Sequence, residues 1–448
     1  MHNFPTHFWR KFQDYKDLTA LATVDERGKV VEETYWEWTR RVQRLAIALM
    51  DAGFEPGTRM GMVAPSGREW IDLAFATWLV GGCLVPIRPD RQRSTTLRAL
   101  ARTGAEWIVV RDADEWEYLR GKNGKLPPHL HWIALEDSAD WPEASRFHSL
   151  EGLDGHGRSL AVRGRVDDLA EVIYGVDRDQ PTLVLFDAKL GDDPHGAFFT
   201  GESVGEMLEL LGDDLQLRDH DRLATTLEYG VFSSWLLTAA TLLQGCQVAT
   251  ASSKGVLRAN LNKLLPTRLV CGPAFLDDRA NRLRDEIEES TEVLQADGGA
   301  AGGLTGLLGR VSKEAARRLF FDPLSRQFGG KLDTVYLIGG SLSDEVTDVI
   351  DRTDLTLLGV WGTPECGISH IERPGARRRG SVGRPVQGYA CKIDGAKRGE
   401  PGEILIRSEV LFEGYWDGDG PRTVDAKGWL HTGTRGRIES GYLYLLPD

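Results

Sequence analysis

The densest run of side chains able to do chemistry is residues 186–196 (FDAKLGDDPHG), where Asp187, Asp192 and Asp193 stand close to Lys189 and His195. Aspartates in such a run can hold a divalent cation, or they can form a solvated turn, which is the commoner fate of clustered charge. They suit phosphate poorly. Backbone N–H groups and hydroxyls cradle phosphate and glycines let the backbone approach it, whereas a carboxylate about 4 Å from a phosphate charge costs roughly 1–4 kcal/mol. A second candidate, Glu365, ends the run Trp361-Gly362-Thr363-Pro364-Glu365, where it can serve a cation or stand as a plain loop carboxylate. Thr432-Gly433-Thr434 offers hydroxyls. Hydroxyls make neutral hydrogen bonds, weaker than charge-assisted ones. The five cysteines (Cys83, Cys246, Cys271, Cys366, Cys391) are far apart, with no Cys-x-x-Cys pair or metal-ligand spacing. They read as reduced thiols of a cytoplasmic protein. The formal charge of -13 argues against a nucleic-acid binder, since no basic stripe exists to neutralise phosphates.

The elements that must position these groups are legible from periodicity. Thr34 and Glu37 have capping-box spacing, and Trp38, Val42, Leu45, Ala46 and Leu49 recur at helical intervals until Gly53. A strand at 59–64, a turn at 65–67, a helix at 69–80, a strand at 83–87, a helix at 95–102 and a strand at 106–111 follow. That rhythm predicts a parallel sheet covered by helices. Short buried strands return at 183–186, 247–251, 268–271, 334–338 and 355–360, while 111–179 reads as peripheral loops with short elements. The uncharged stretch 231–253 holds too many hydroxyls and amides for a membrane span, and a buried helix ending near Gly245 before a strand explains it better. The glycine-rich run 297–309 reads as a surface loop rather than a lipid-contacting lid. After residue 380 short alternating segments punctuated by glycine predict a small β-rich unit.

Taken together, these segments resemble the adenylate-forming (AMP-binding) superfamily, and within it the long-chain acyl-CoA synthetases. The resemblance is carried by residues 35–56 and 59–86, by Gly339-Gly340-Ser341 with Leu342, by 361–365, and by Gly380-Ser381-Val382-Gly383-Arg384-Pro385. Gly402-Glu403-Ile404-Leu405-Ile406-Arg407, Gly414-Tyr415-Trp416 and Gly428-Trp429-Leu430-His431-Thr432-Gly433 continue it, and 319–330 is most similar to the long-chain or bubblegum-type branch. The resemblance implies a reaction in which ATP and a carboxylate give an acyl-adenylate, whose AMP a CoA thiol then displaces. It places Gly339, Gly340 and Ser341 near the adenine and counts Trp361, Gly362 and Thr363 among the cofactor-binding positions. It places Glu365 at the Mg²⁺ position, His195 where a phosphate-loop lysine belongs, and Thr434 where an aspartate should hold the ribose. Three departures follow: 186–196 lacks the hydroxyls and the lysine, Pro364 replaces a threonine, and Thr434 replaces the aspartate.

The expected architecture is α/β, with two helix-flanked, mostly parallel sheets stacked together plus the small β-rich unit. The expected limits are 1–180, 181–380 and 381–448, with the domain that carries the family's catalytic lysine absent. The expected function is that of a non-catalytic homologue acting as an acyl-ligand-binding or interaction module, with a fatty-acyl ligand held by 229–235 and 339–341, or with a protein partner. The rivals are a residual fatty-acid adenylase using ATP and Mg²⁺, and a purely structural subunit.

Overall fold

The computed structural model describes residues 3–89, 92–121, 127–142, 144–187, 193–283, 322–351, 354–395, 399–418, 420 and 422–446, apart from the side chains of 345 and 349. The glycine-rich run 297–309 and the centre of 186–196 lie outside them. The described residues form three sheets. The largest runs from Arg384–Pro385 through Gly367–Ile371, Thr356–Thr363, Thr334–Ile338 and Arg268–Cys271. It continues through Arg222–Thr225, Gln247–Ala251, Thr19–Val24 and Val30–Thr34. Its centre is parallel and both ends are antiparallel. A second sheet orders Gly414–Tyr415, Ala197–Thr200, Pro181–Leu185, Cys83–Pro86, Arg59–Met62, Trp107–Val110, His131–Ala134 and Phe147–Ser149. The small antiparallel sheet joins Ala390–Ile393, Gly402–Arg407, Leu430–Glu439 and Tyr442–Leu445.

Sheet membership does not follow chain order. Thr19–Val24 pairs in parallel with Gln247–Ala251, and Gly414–Tyr415 pairs with Ala197–Thr200. The sheets therefore interleave across residues 180 and 380. The Thr19–Val24 and Val30–Thr34 hairpin was not foreseen, because it borrows its apolar partners from residues more than two hundred positions away.

The helices fill the space against the sheets. Gly201–Leu215 touches strands of both large sheets, and Phe232–Leu243 is buried along its whole length. Residues 231–253 are thus the expected buried helix and strand, and no helix among the described residues is long and apolar enough to cross a membrane. Aromatic rings knit this layer: Trp70 meets Trp235 at 4.6 Å and Trp38 meets Phe75 at 5.1 Å, both edge to face. Such pairs add about 0.5–1.5 kcal/mol beyond the area they bury.

The stretch 111–179 is more ordered than its composition predicts. It supplies two strands of the second sheet and the helices Ala113–Arg120, Leu150–Val162 and Val166–Gly175. Three glycines lower the helix propensity of Leu150–Val162, each by about 1 kcal/mol relative to alanine. One of them permits its packing: a Cβ on Gly157 would lie 2.0 Å from the carbonyl oxygen of Arg44. Tertiary contact with the helix Tyr35–Asp51, whose capping box forms as expected, outweighs the poor propensity.

Candidate functional site

Glu365 sits at the tip of the hairpin joining Thr356–Thr363 to Gly367–Ile371. The turn is tight: the Cys366 amide donates to the Thr363 carbonyl at 3.1 Å. A side chain at Gly362 would strike the Gly367 carbonyl, its Cβ lying 1.8 Å from that oxygen, so glycine is required there. A hairpin tip would ordinarily be solvated, yet the Glu365 side chain is only 3% exposed.

Three groups cover it. The Phe412 amide donates to the Glu365 carbonyl at 2.9 Å. The Tyr415 hydroxyl donates to Oε1 at 2.7 Å. Arg422 Nη1 donates to Oε1 at 2.9 Å and to Oε2 at 2.7 Å. The same guanidinium reaches Asp187 Oδ2 through Nη2 at 3.2 Å, and its Nε donates to the Thr432 carbonyl at 2.8 Å. Arg422 thereby joins a hairpin of the largest sheet, the end of a strand of the second sheet and the small sheet. Burial disfavours its charge, but Glu365 and Asp187 outweigh burial and hold its pKa above the usual arginine value. Burial, reinforced by Glu365, raises the Tyr415 phenol and keeps it a donor.

His195 lies against Tyr415, ring to ring at 5.8 Å. Arg102 donates to its Nδ1 and to the Pro194 carbonyl, each at 3.0 Å, and also bonds Asp193. Asp417 contacts Arg102 at 3.0 Å and His195 at 3.6 Å. His195 is therefore embedded in a local network of charges. Thr434 follows Thr432 in the strand Leu430–Glu439, and its amide donates to Thr432 Oγ1 at 3.2 Å. Glu403 accepts from the Gly433 amide between them at 2.8 Å.

Gly339 follows the strand Thr334–Ile338 and Trp361 lies beside it, because Ile338 is opposite Val360 in the parallel register. Gly339, Gly340 and Ser341 are exposed there, at the carboxyl ends of adjacent strands, the usual ligand-binding edge of such sheets. Trp361 rests edge-on against buried His370 at 5.5 Å.

The structure thus gathers 339–341 with 361–363, and joins Glu365, Asp187, His195 and the Thr432 region through Tyr415 and Arg422. Arg422 escaped sequence reading. Its partners lie 57 and 235 residues away, and no local pattern marks it. The one hint was a carboxylate, Asp187, in the segment from which the expected lysine had gone.

In the first of the two segments expected to hold an acyl chain, aromatic side chains pack on one another. Tyr229 and Trp235 are fully buried and pack on each other and on Trp70. The cavity beside Tyr229 measures about 10 Å³. Another, between Arg88, Asp187 and Gly230, measures about 20 Å³, room for about one water. Gly230 narrows it, since a Cβ there would lie 2.4 Å from the Arg88 nitrogen.

Glu365 as it stands fits Mg²⁺ badly. The carboxylate expected to meet the metal is already bound to an internal cation.

The family model for AMP-binding enzymes matches residues 8–175 and 193–416. The break between the matched segments contains Asp187 and the rest of the departed loop up to Asp192. The chain is 23% identical to the long-chain-fatty-acid–CoA ligase FadD15 of Mycobacterium bovis, over 93% of this chain and 70% of that protein. It is also 23% identical to a 3-[(3aS,4S,7aS)-7a-methyl-1,5-dioxo-octahydro-1H-inden-4-yl]propanoyl:CoA ligase of Rhodococcus jostii, over 98% and 78% of the two. Among solved structures, a long-chain-fatty-acid-CoA ligase (FadD1) of Archaeoglobus fulgidus shares the fold with a TM-score of 0.74 at 16% identity, covering 100% of this chain and 84% of that one. The N-terminal domain of FACL13 from Mycobacterium tuberculosis does so with a TM-score of 0.71 at 16% identity, each chain covered completely.

Proposed function

This chain belongs to the AMP-binding enzyme family, and from that premise we propose that it is a non-catalytic homologue of the fatty-acyl-CoA ligases, retaining the fold as an interaction module. The observation that carries this reading is Arg422. Its guanidinium is shared by Glu365 and Asp187, in a setting where Glu365 is 3% and Arg422 18% exposed. A divalent cation could reach Glu365 only by displacing Arg422. That would break a buried ion pair, at a cost of about 3–5 kcal/mol, and set two cations side by side. Thr434 and the aspartates of the departed loop add to this, since they give ribose and triphosphate weaker or repulsive partners. The packing of Tyr229 and Trp235 favours an interaction module over an acyl-binding one. The test is calorimetry with ATP–Mg²⁺, together with an assay for acyl-CoA from C12–C18 fatty acids. We expect no binding in the micromolar range and no product. Turnover abolished by Glu365→Ala would overturn the reading.

A second reading, a residual fatty-acid adenylase, draws on the exposed Gly339–Ser341 edge beside Trp361. It requires ATP binding that Trp361→Ala weakens, which the same titration decides.

A further inference from the structure

A groove of about 750 Å³ shares no residue with the cleft described above. It runs between the helices Phe4–Asp14, Tyr35–Asp51, Leu150–Val162 and Val166–Gly175. We propose that this groove is a docking site for an acidic amphipathic helix of a partner protein.

Charge is the first argument. Arg40, Arg44 and Arg158 line the groove and none of its lining residues is a carboxylate. Asp154 is shared by Arg44 at 2.6 Å and Arg158 at 3.2 Å. Arg40 lies over the Trp36 ring, 5.1 Å from its centroid. In a chain with 67 acidic and 54 basic residues, the groove is a local reversal of sign. It would attract acidic partners.

Composition is the second argument. Trp36 is 48% and Val162 86% exposed, and Trp9 adds a second indole to the wall. Tryptophan and arginine at the edge of a concave apolar surface are the residue types that dominate protein interfaces.

Shape is the third argument. Trp36, Arg40 and Arg44 recur at four-residue spacing along one helix, and Arg158 and Val162 do so along another. Each wall therefore presents a continuous ridge. A helix with apolar anchors at i, i+3, i+4 and i+7, flanked by glutamate or aspartate, matches such walls. The inference stands whether or not the cleft is catalytic.

The experiment uses the whole chain and a fluorescein-labelled peptide of about 18 residues, with leucine at the anchor positions and glutamate elsewhere, read by anisotropy. Controls are the peptides with lysine for glutamate and with serine for leucine. We expect micromolar binding of the acidic peptide that weakens with salt, and little binding of either control. We also expect at least a tenfold loss in the variant Arg40→Glu/Val162→Asp. Both positions are exposed, and circular dichroism would verify that the variant folds. No binding of the acidic peptide, or equal affinity for the variant, overturns the proposal. If the chain instead binds phosphatidylserine–phosphatidylcholine vesicles, or self-associates in sedimentation, and the variant abolishes that behaviour while the peptide fails, the face serves a membrane or a second copy and the proposal falls.

Discussion

At the scale of single residues, Arg422 is the group on which Glu365, Asp187 and the Thr432 carbonyl converge. Truncating one partner of a buried ion pair leaves the other charge uncompensated, whereas replacing both by apolar groups is often close to neutral. Arg422→Met should therefore cost about 3–5 kcal/mol in urea denaturation, and Arg422→Met/Glu365→Met should recover most of that loss. A double variant as unstable as the single one would show that Arg422 matters for packing rather than for its charge. Neither partner was legible as a partner. Glu365 was recognisable from its motif, but a lone arginine amid polar loop residues carries no periodicity or spacing that names the carboxylate it will meet.

At the scale of elements, local propensity and tertiary contact disagree in the helix Leu150–Val162, and contact prevails. Gly157 is held against the Arg44 backbone, while nothing lies within 4 Å of a Cβ placed on Gly155. Gly157→Ala should thus destabilise the chain, by about 2 kcal/mol or more, because a backbone carbonyl cannot move aside. Gly155→Ala should stabilise it by about 0.5–1 kcal/mol through helix propensity. Opposite shifts of the thermal midpoint would bear this out, and shifts of the same sign would not. The strand Gly367–Ile371 carries a second consequence. Burial, aided by Arg373, pushes the pKa of His370 down to about 3. The unfolded chain, with a histidine pKa near 6.5, takes up this proton first as pH falls. Stability from neutral His370 is therefore full above about pH 6.5 and is lost as pH falls towards 3, by a few kcal/mol at most. His370→Asn retains a partner for Ser369, which approaches His370 Nδ1 at 3.1 Å, and should flatten the fall in stability between pH 6.5 and 4. An unchanged slope would assign it to other groups.

At the scale of the whole molecule, the cleft is a meeting of distant segments, so repairing one segment cannot restore it. Rewriting 187–193 as a Ser/Thr/Gly loop, with His195→Lys and Thr434→Asp, removes repulsion and adds charge-assisted bonds worth about 10²–10⁴ in nucleotide affinity. We expect that gain by calorimetry only when Arg422→Ser accompanies the other changes, because Arg422 otherwise still occupies Glu365. A repaired chain that folds and still ignores ATP would mean that these segments do not frame a nucleotide site. By itself the sequence determined the alternation of strands and helices, the buried helix at Phe232–Leu243, the family motifs and the three departures from them. Each of these is a property of neighbouring residues, set by side-chain period, capping and turn chemistry. Only the tertiary structure decided that Thr19–Val24 joins a sheet built from later residues, that Tyr229 and Trp235 pack on Trp70, and that Arg422 closes on Glu365. Those outcomes depend on groups brought together across 57 to more than 200 positions. Nothing in a local stretch encodes such a meeting, since its energy exists only once the sheets have formed.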